Sequence, residues 1–139
     1  MNAVDTNVLL YSIDRHEQNK RMKAQKLLEQ LRSASETTLL LWQVLGELGQ
    51  QLRRWRDQGK LTPLDYAQHI QAFRHVFPLM LPTPSVFDIA VDLADRFSLA
   101  HWDSMLLGAC KASGVETLYT EDMGAPRTID GVKLVNPLL

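Results

Sequence analysis

At 139 residues, 45% of them hydrophobic, the chain is long enough for one domain with a proper core, and 22% charged residues with few Gly and Pro exclude a disordered or fibrous class. A net charge of −1 gives no general electrostatic footprint for nucleic acid, so a polyanionic partner would need a local basic patch or bridging metal ions. The single cysteine, Cys110, excludes an internal disulfide; with neither an export signal nor a run of about 18 apolar residues, a soluble, cytoplasmic protein with no membrane span is expected.

Residues 2–4 are apolar enough for a first strand, and Asp5-Thr6-Asn7 follows, residue types that favour turns and helix N-caps. Val8, Leu9, Tyr11 and Ser12 then predict one or two helical turns. Asp5 thus stands where a strand ends and a helix begins; as a plain N-cap it would stabilise the helix by about 1 kcal/mol. Residues 18–33 form an amphipathic pattern, with Ala24, Leu27, Leu28 and Leu31 on the apolar face and Lys20, Arg21, Lys23 and Lys26 mainly elsewhere. Thr37–Leu41 reads as a buried parallel strand.

From Trp42 to Arg56 the pattern is helical again, with Val44, Leu45, Leu48 and Leu52 as its core stripe and Glu47 one step off it. Gly46 and Gly49 flank Glu47, each costing roughly 0.5–1 kcal/mol relative to alanine, which points to something packing or binding close to the backbone there. Gln51 and Arg54 share the face of Glu47. Thr62-Pro63 opens another helix, with Asp65 at N3 and Tyr66, Ile70, Phe73 and Phe77 as the buried stripe. Leu79–Leu81 reads as a short strand. Thr83-Pro84 repeats the start signal; Phe87, Ala90, Val91, Ala94 and Phe97 are expected in the core, and Asp88, Asp92 and Asp95 on a solvated outer face.

The stretch His101–Asp122 organises the rest. Leu106, Ala109, Cys110 and Ser113 recur at helical spacing, Gly114 follows as a C-terminal stop, and Glu116–Thr120 reads as a strand ending in the turn Glu121–Gly124. Cys110, on the apolar face, is expected to be a buried thiol rather than a nucleophile. After a Gly/Pro turn region (Gly124, Pro126), a last strand, Val132–Val135, is introduced by Asp130-Gly131. Strand and helix alternate from end to end without repeat or linker. A single domain over 1–139 is expected, a three-layer α/β/α sandwich on a mainly parallel sheet.

In such a sheet Asp5 and Asp122, past strand ends, and Asp103, near a helix start, lie on the edge where ligands bind. With Glu47 they make four carboxylates. In one low-dielectric pocket they would repel one another severely without a counter-ion. No His/Cys ligand set accompanies them, so hard oxygen donors with room for water point to Mg²⁺ or Mn²⁺ rather than zinc. A cation so held takes phosphate oxygens and activates water, the chemistry of phosphodiester hydrolysis.

The motifs DTNVLLY at the N-terminus, QVLGEL at 43–48, LAHWDSMLLGAC at 99–110 and LYTED at 118–122 closely resemble the PIN domain, and within it the VapC-type ribonuclease toxins of toxin–antitoxin pairs. The closing IDGVKLVNPLL is similar to that family's tail. The resemblance implies that Asp5, Glu47, Asp103 and Asp122 are an acidic catalytic quartet binding Mg²⁺ or Mn²⁺, with Thr6, Asn7 and Thr120 as supporting polar residues. It leaves open whether Glu121 or Asp122 faces the metal; Asp122 is favoured. It also implies an RNA substrate, a homodimer and a small antitoxin protein. Arg53, Arg54 and Arg56, with the Lys20–Lys26 run, are the candidates for RNA contact.

Two rivals are weighed beside it. A haloacid-dehalogenase-like phosphatase wants a second aspartate two residues after the first, where this chain has Asn7, and a lysine motif that is missing. A catalytically silent PIN-fold binding module would keep the fold without activity, but all four acids are present.

Overall fold

The computed structural model describes residues 1–139. Short strands are interleaved with helices as far as β4, after which three strands follow in succession: β1 (Asn2–Val4), α1 (Thr6–Tyr11), α2 (Gln18–Ser33), β2 (Thr38–Leu41), α3 (Trp42–Asp57), α4 (Pro63–Val76), β3 (Leu79–Met80), α5 (Pro84–Phe97), α6 (His101–Ala112), β4 (Thr117–Tyr119), β5 (Arg127–Ile129) and β6 (Val132–Val135). β1 and β2 are buried at every position, as strands covered on both faces must be. The sheet order is β3-β2-β1-β4-β6-β5, and every pair is parallel except β5–β6. This is the expected α/β architecture on a mainly parallel sheet.

The order fixes where a ligand can sit. From β1 the chain steps outward through β2 to β3, then crosses to the other side of β1 to lay down β4. The direction reverses between β1 and β4, and at such a switch point the loops beyond the strands' carboxyl ends part to leave a crevice. Val4 pairs with Tyr119 there, so Asp5 and Thr120 leave the sheet side by side.

Leu39, Leu40 and Leu41 of β2 join Val44, Leu48 and Leu52 of α3 and Leu118 of β4 in the core. Of the Tyr66–Phe77 stripe, Phe73 and Phe77 are buried, whereas Tyr66 and Ile70 are half-buried against it. Thr62 caps α4 as its sequence predicts, its Oγ1 accepting the Asp65 N–H at 3.0 Å.

Three expectations need correction. On α5 the buried residues are Val86, Ala90 and Leu93, while Phe87 and Val91 are 53% and 55% exposed. The cause lies on α6: a Cβ at Gly108 would stand 2.6 Å from Val86 O and 3.2 Å from Ala90 Cβ, so the backbone of α6 packs directly on that side of α5. The strand expected over Leu79–Leu81 stops at Met80, leaving Leu81 exposed. And the presumed turn region holds a strand, β5, joined to β6 by Asp130 (φ 48°) and Gly131 (φ 86°), a two-residue hairpin in which both central residues need positive φ. Asp88, Asp92 and Asp95 are exposed as expected, and Asp92 shares Arg96 with Asp130 at 2.8 and 2.9 Å.

Candidate active site

Asp5 is the N-cap of α1 after all: its Oδ1 accepts the Thr6 N–H at 2.7 Å. Its second oxygen is used for something else. Oδ2 accepts the Thr120 hydroxyl at 2.8 Å from the end of the neighbouring strand, and Thr120 Oγ1 in turn accepts the Asp122 N–H at 3.0 Å. Burial pushes the Asp5 carboxyl up to about 6; the hydrogen bonds from Thr120 and Thr6 pull it down, and the charges of Glu47 and Asp122 push it up again. Burial, with a further push from Asp5, also raises the Cys110 thiol to about 12, so it is the inert buried thiol expected.

The other acids arrive from three more elements. Glu47, in the second turn of α3, accepts the Thr6 hydroxyl on Oε2 at 2.9 Å and the Gln43 amide on Oε1 at 3.0 Å. The same Gln43 Nε2 reaches Trp102 O at 3.0 Å and ties α3 to the start of α6. Asp103 sits in the first turn of α6, where the helix dipole favours an anion. Asp122 accepts the Asn7 amide on Oδ2 at 2.9 Å. Its carboxyl is raised above the usual range, first by desolvation and then by the charges of Glu121, Asp103 and Glu47. The four carboxylates are therefore electrostatic neighbours: Thr6 serves Asp5 and Glu47, Thr120 serves Asp5 and Asn7 serves Asp122.

As they stand, no three His, Cys, Asp or Glu side chains are gathered to hold one ion. Asp5, Glu47 and Asp122 each turn instead to a neutral hydroxyl or amide donor, which relieves the repulsion between like charges. The donors nevertheless fit a hard divalent cation in kind: oxygens from four carboxylates, with polar groups beside them. One atom asks for more. Asn7 Oδ1 is buried and accepts no hydrogen bond, although its own amide nitrogen holds Asp122. A water on a cation among these acids would supply the missing donor.

Glu121 pairs with Lys20, whose Nζ lies 3.3 Å from Oε2 and 4.6 Å from the centre of the Tyr11 ring. Of the remaining basic candidates, Lys23 donates to Leu138 O at 3.3 Å. Arg56 pairs with Asp57 at 3.1 Å and lies 4.9 Å from the centre of the Tyr66 ring. Arg53 and Arg54 are exposed toward the end of α3, roughly 9 Å along the axis from Glu47. Sequence reasoning missed Gln43, although its spacing of four from Glu47 on one helix was a usable signal.

The sequence matches the PIN domain family model over residues 3–129, a span that includes all four acids. The chain belongs to the PIN domain family. Solved PIN-like structures share its fold at low identity. A toxin–antitoxin complex from Klebsiella pneumoniae is similar with a TM-score of 0.70 and 18% identity, over 99% of this chain and 98% of that one. VapBC2 from Rickettsia felis, bound to a DNA fragment from its promoter, gives 0.69 and 14%, over 96% of each chain. Mycobacterium tuberculosis VapC20, a Sarcin-Ricin loop cleaving toxin, gives 0.64 and 17%, over 89% and 92%. No curated protein matches the chain.

Proposed function

We propose that this PIN domain, a single domain over 1–139, is a divalent-metal-dependent endoribonuclease and the toxin of a toxin–antitoxin pair. The observation that carries the reading is that Asp5, Glu47, Asp103 and Asp122 feel one another's charge beside the β1–β4 switch point, with Asp5 buried and its carboxyl raised to about 6. Carboxylates held this way favour a counter-ion, and Mg²⁺ or Mn²⁺ suits an all-oxygen donor set. When bound, such a cation supplies an activated water and shields charge on the phosphate.

The chain's own residues do the rest. Asp5, Glu47, Asp103 and Asp122 would hold the cation. Thr120 and Thr6 aim Asp5 and Glu47, and Asn7 aims Asp122 while offering Oδ1 to a water. Arg53 and Arg54 extend the reach for RNA along α3. The fold likeness to the Klebsiella and Rickettsia toxin–antitoxin structures supports an antitoxin partner, and the exposed Phe87 and Val91 on α5 suit a second copy. No helix is long and apolar enough to cross a membrane, in keeping with work in the cytoplasm.

One observation favours a second reading. With no three acids gathered for one ion, that reading is a catalytically silent PIN-fold binding module. The deciding experiment is cleavage of total cellular RNA by antitoxin-free protein with Mg²⁺ or Mn²⁺, beside EDTA and Asp103→Asn controls. Cutting that vanishes in both controls supports the ribonuclease. No cutting, with no stabilisation by Mn²⁺, leaves the binding module.

A further inference from the structure

Beside the four acids lies a groove of about 570 Å³ with mostly apolar walls. Its tie to the acids is written into two helices. On α3 Gly46 lines the groove and Glu47 follows it; on α6 Trp102 lines the groove and Asp103 follows it. Glu47 belongs to both, and the Gln43 amide binds Glu47 Oε1 and Trp102 O at 3.0 Å each, locking wall and acids together. Two indoles of the wall, Trp42 and Trp102, are 52% and 62% exposed. Rings this open, side by side with a polar site, mark a surface that receives something.

Gly46 points the same way. Glycine is a poorer helix former than alanine, yet no heavy atom of the chain comes within 4 Å of where its Cβ would stand. Nothing in the protein fills that space, as is true also of Gly49 on the same helix, which does not line the groove.

We propose that this groove receives a base of single-stranded RNA next to the phosphodiester held at the acids, stacked on Trp42 or Trp102 over the open floor at Gly46. The proposal rests on the ribonuclease reading and assigns its substrate-recognition site. None of the fourteen lining residues is Lys or Arg, so the groove suits a base rather than the charged backbone. Aromatic rings stack on any base, while the Gln50 amide in the wall offers both donors and an acceptor to a base edge and so gives preference among bases.

The test uses the full chain. In Asp5→Asn, chosen so that the RNA should stay uncut, and with Trp55→Phe so that only Trp42 and Trp102 report, a short random-sequence single-stranded RNA should quench the fluorescence. The same sugar–phosphate chain without bases should not. In the cutting protein, Trp102→Ala and Gly46→Ala should raise KM roughly 5- to 100-fold with kcat far less changed, and Trp102→Phe should restore it. Gly46→Ala should meanwhile raise the Tm by roughly 2–5 °C, which separates a blocked groove from a damaged fold. Equal quenching by the base-free chain overturns the proposal. So does an unchanged KM in both groove variants of a protein that still cuts RNA, and that result leaves the ribonuclease reading intact. Groove variants that alter only the oligomeric state, by light scattering, assign the face to a second copy and also overturn it. Absence of both quenching and cutting removes the ribonuclease reading along with the groove.

Discussion

Thr120 donates its hydroxyl proton to Asp5 Oδ2 over 2.8 Å, joining the ends of two adjacent central strands through one buried bond. This bond is the one side-chain contact that lowers the raised Asp5 carboxyl most. Thr120→Val keeps the shape and removes the donor. Leaving a buried acceptor without its partner costs about 1–3 kcal/mol, so urea denaturation should shift by that amount. Protons then compete harder for Asp5, and Mn²⁺ affinity measured by calorimetry should fall more at pH 6 than at pH 8. Thr120→Ser should restore both. Equal affinity in Val and Ser variants at pH 6 would remove Thr120 from the site.

The raised Asp5 carboxyl also makes a claim about stability. Its folded value of about 6 lies above the ordinary 3.8, so between these the native state binds the extra proton. Stability from this group is therefore present below pH 4 and lost as pH rises through 6, a change on the order of 3 kcal/mol in metal-free protein. Asp122, also raised, acts in the same direction. Asp5→Asn, which still caps α1, should flatten that slope and be more stable than wild type near pH 7 in EDTA. Saturating Mn²⁺ should do the same for the wild type by binding the charged form. Denaturation curves at pH 4.5 and 7.5 decide it; a wild-type slope no steeper than that of Asp5→Asn contradicts the burial of the charge.

Glu121 and Asp122 are neighbours with different work. Glu121 Oε2 is spoken for by Lys20 at 3.3 Å, an exposed pair worth about 0–1 kcal/mol, whereas Asp122 is held by Asn7 and feels three other carboxylates. Glu121→Gln should thus leave cleavage within roughly fivefold of wild type, and by removing a nearby negative charge should lower the Asp122 carboxyl. Asp122→Asn should lose about 100-fold or more. Steady-state cleavage of one RNA by both variants is the measurement, and a reversal of the two would move the ligand to Glu121.

Much of this was legible in the chain because the signals were local. Strand-end acids, the Thr62-Pro63 start and the apolar patterns of strands and helices depend on residues near each other in sequence; Asp5 and Asp122 follow strand ends, while Glu47 and Asp103 lie in early turns of α3 and α6. What stayed hidden depends on partners far away. The buried face of α5 is set by the backbone of α6 at Gly108, which no periodicity within 84–97 contains. β5 is three residues long with two exposed, too little pattern to read, although Asp130-Gly131 between two β-branched runs was a hairpin signal. The hydrogen bonds of Thr120 to Asp5 and Asn7 to Asp122 span 115 residues each, and only the family resemblance anticipated that those polar residues serve the acids.

Two glycines give opposite forecasts from the same substitution. At Gly108 an added Cβ would stand 2.6 Å from the Val86 carbonyl oxygen, a backbone atom that cannot step aside as a flexible side chain can. The better helix propensity of alanine, worth about 1 kcal/mol, is then set against overpacking of about 1–3 kcal/mol, and α5 must slide on α6. Gly108→Ala should lower the Tm by several degrees. Because α6 carries Asp103 in its first turn and Trp102 just before it, the slide should also lower cleavage. At Gly46 the same methyl meets no atom within 4 Å and adds only helix propensity, so the Tm should rise. Melting curves of the two variants side by side test the packing directly: a rise in both would mean that the close approach of α5 to α6 relaxes freely, and a fall in both would mean that the floor at Gly46 is occupied within the protein itself.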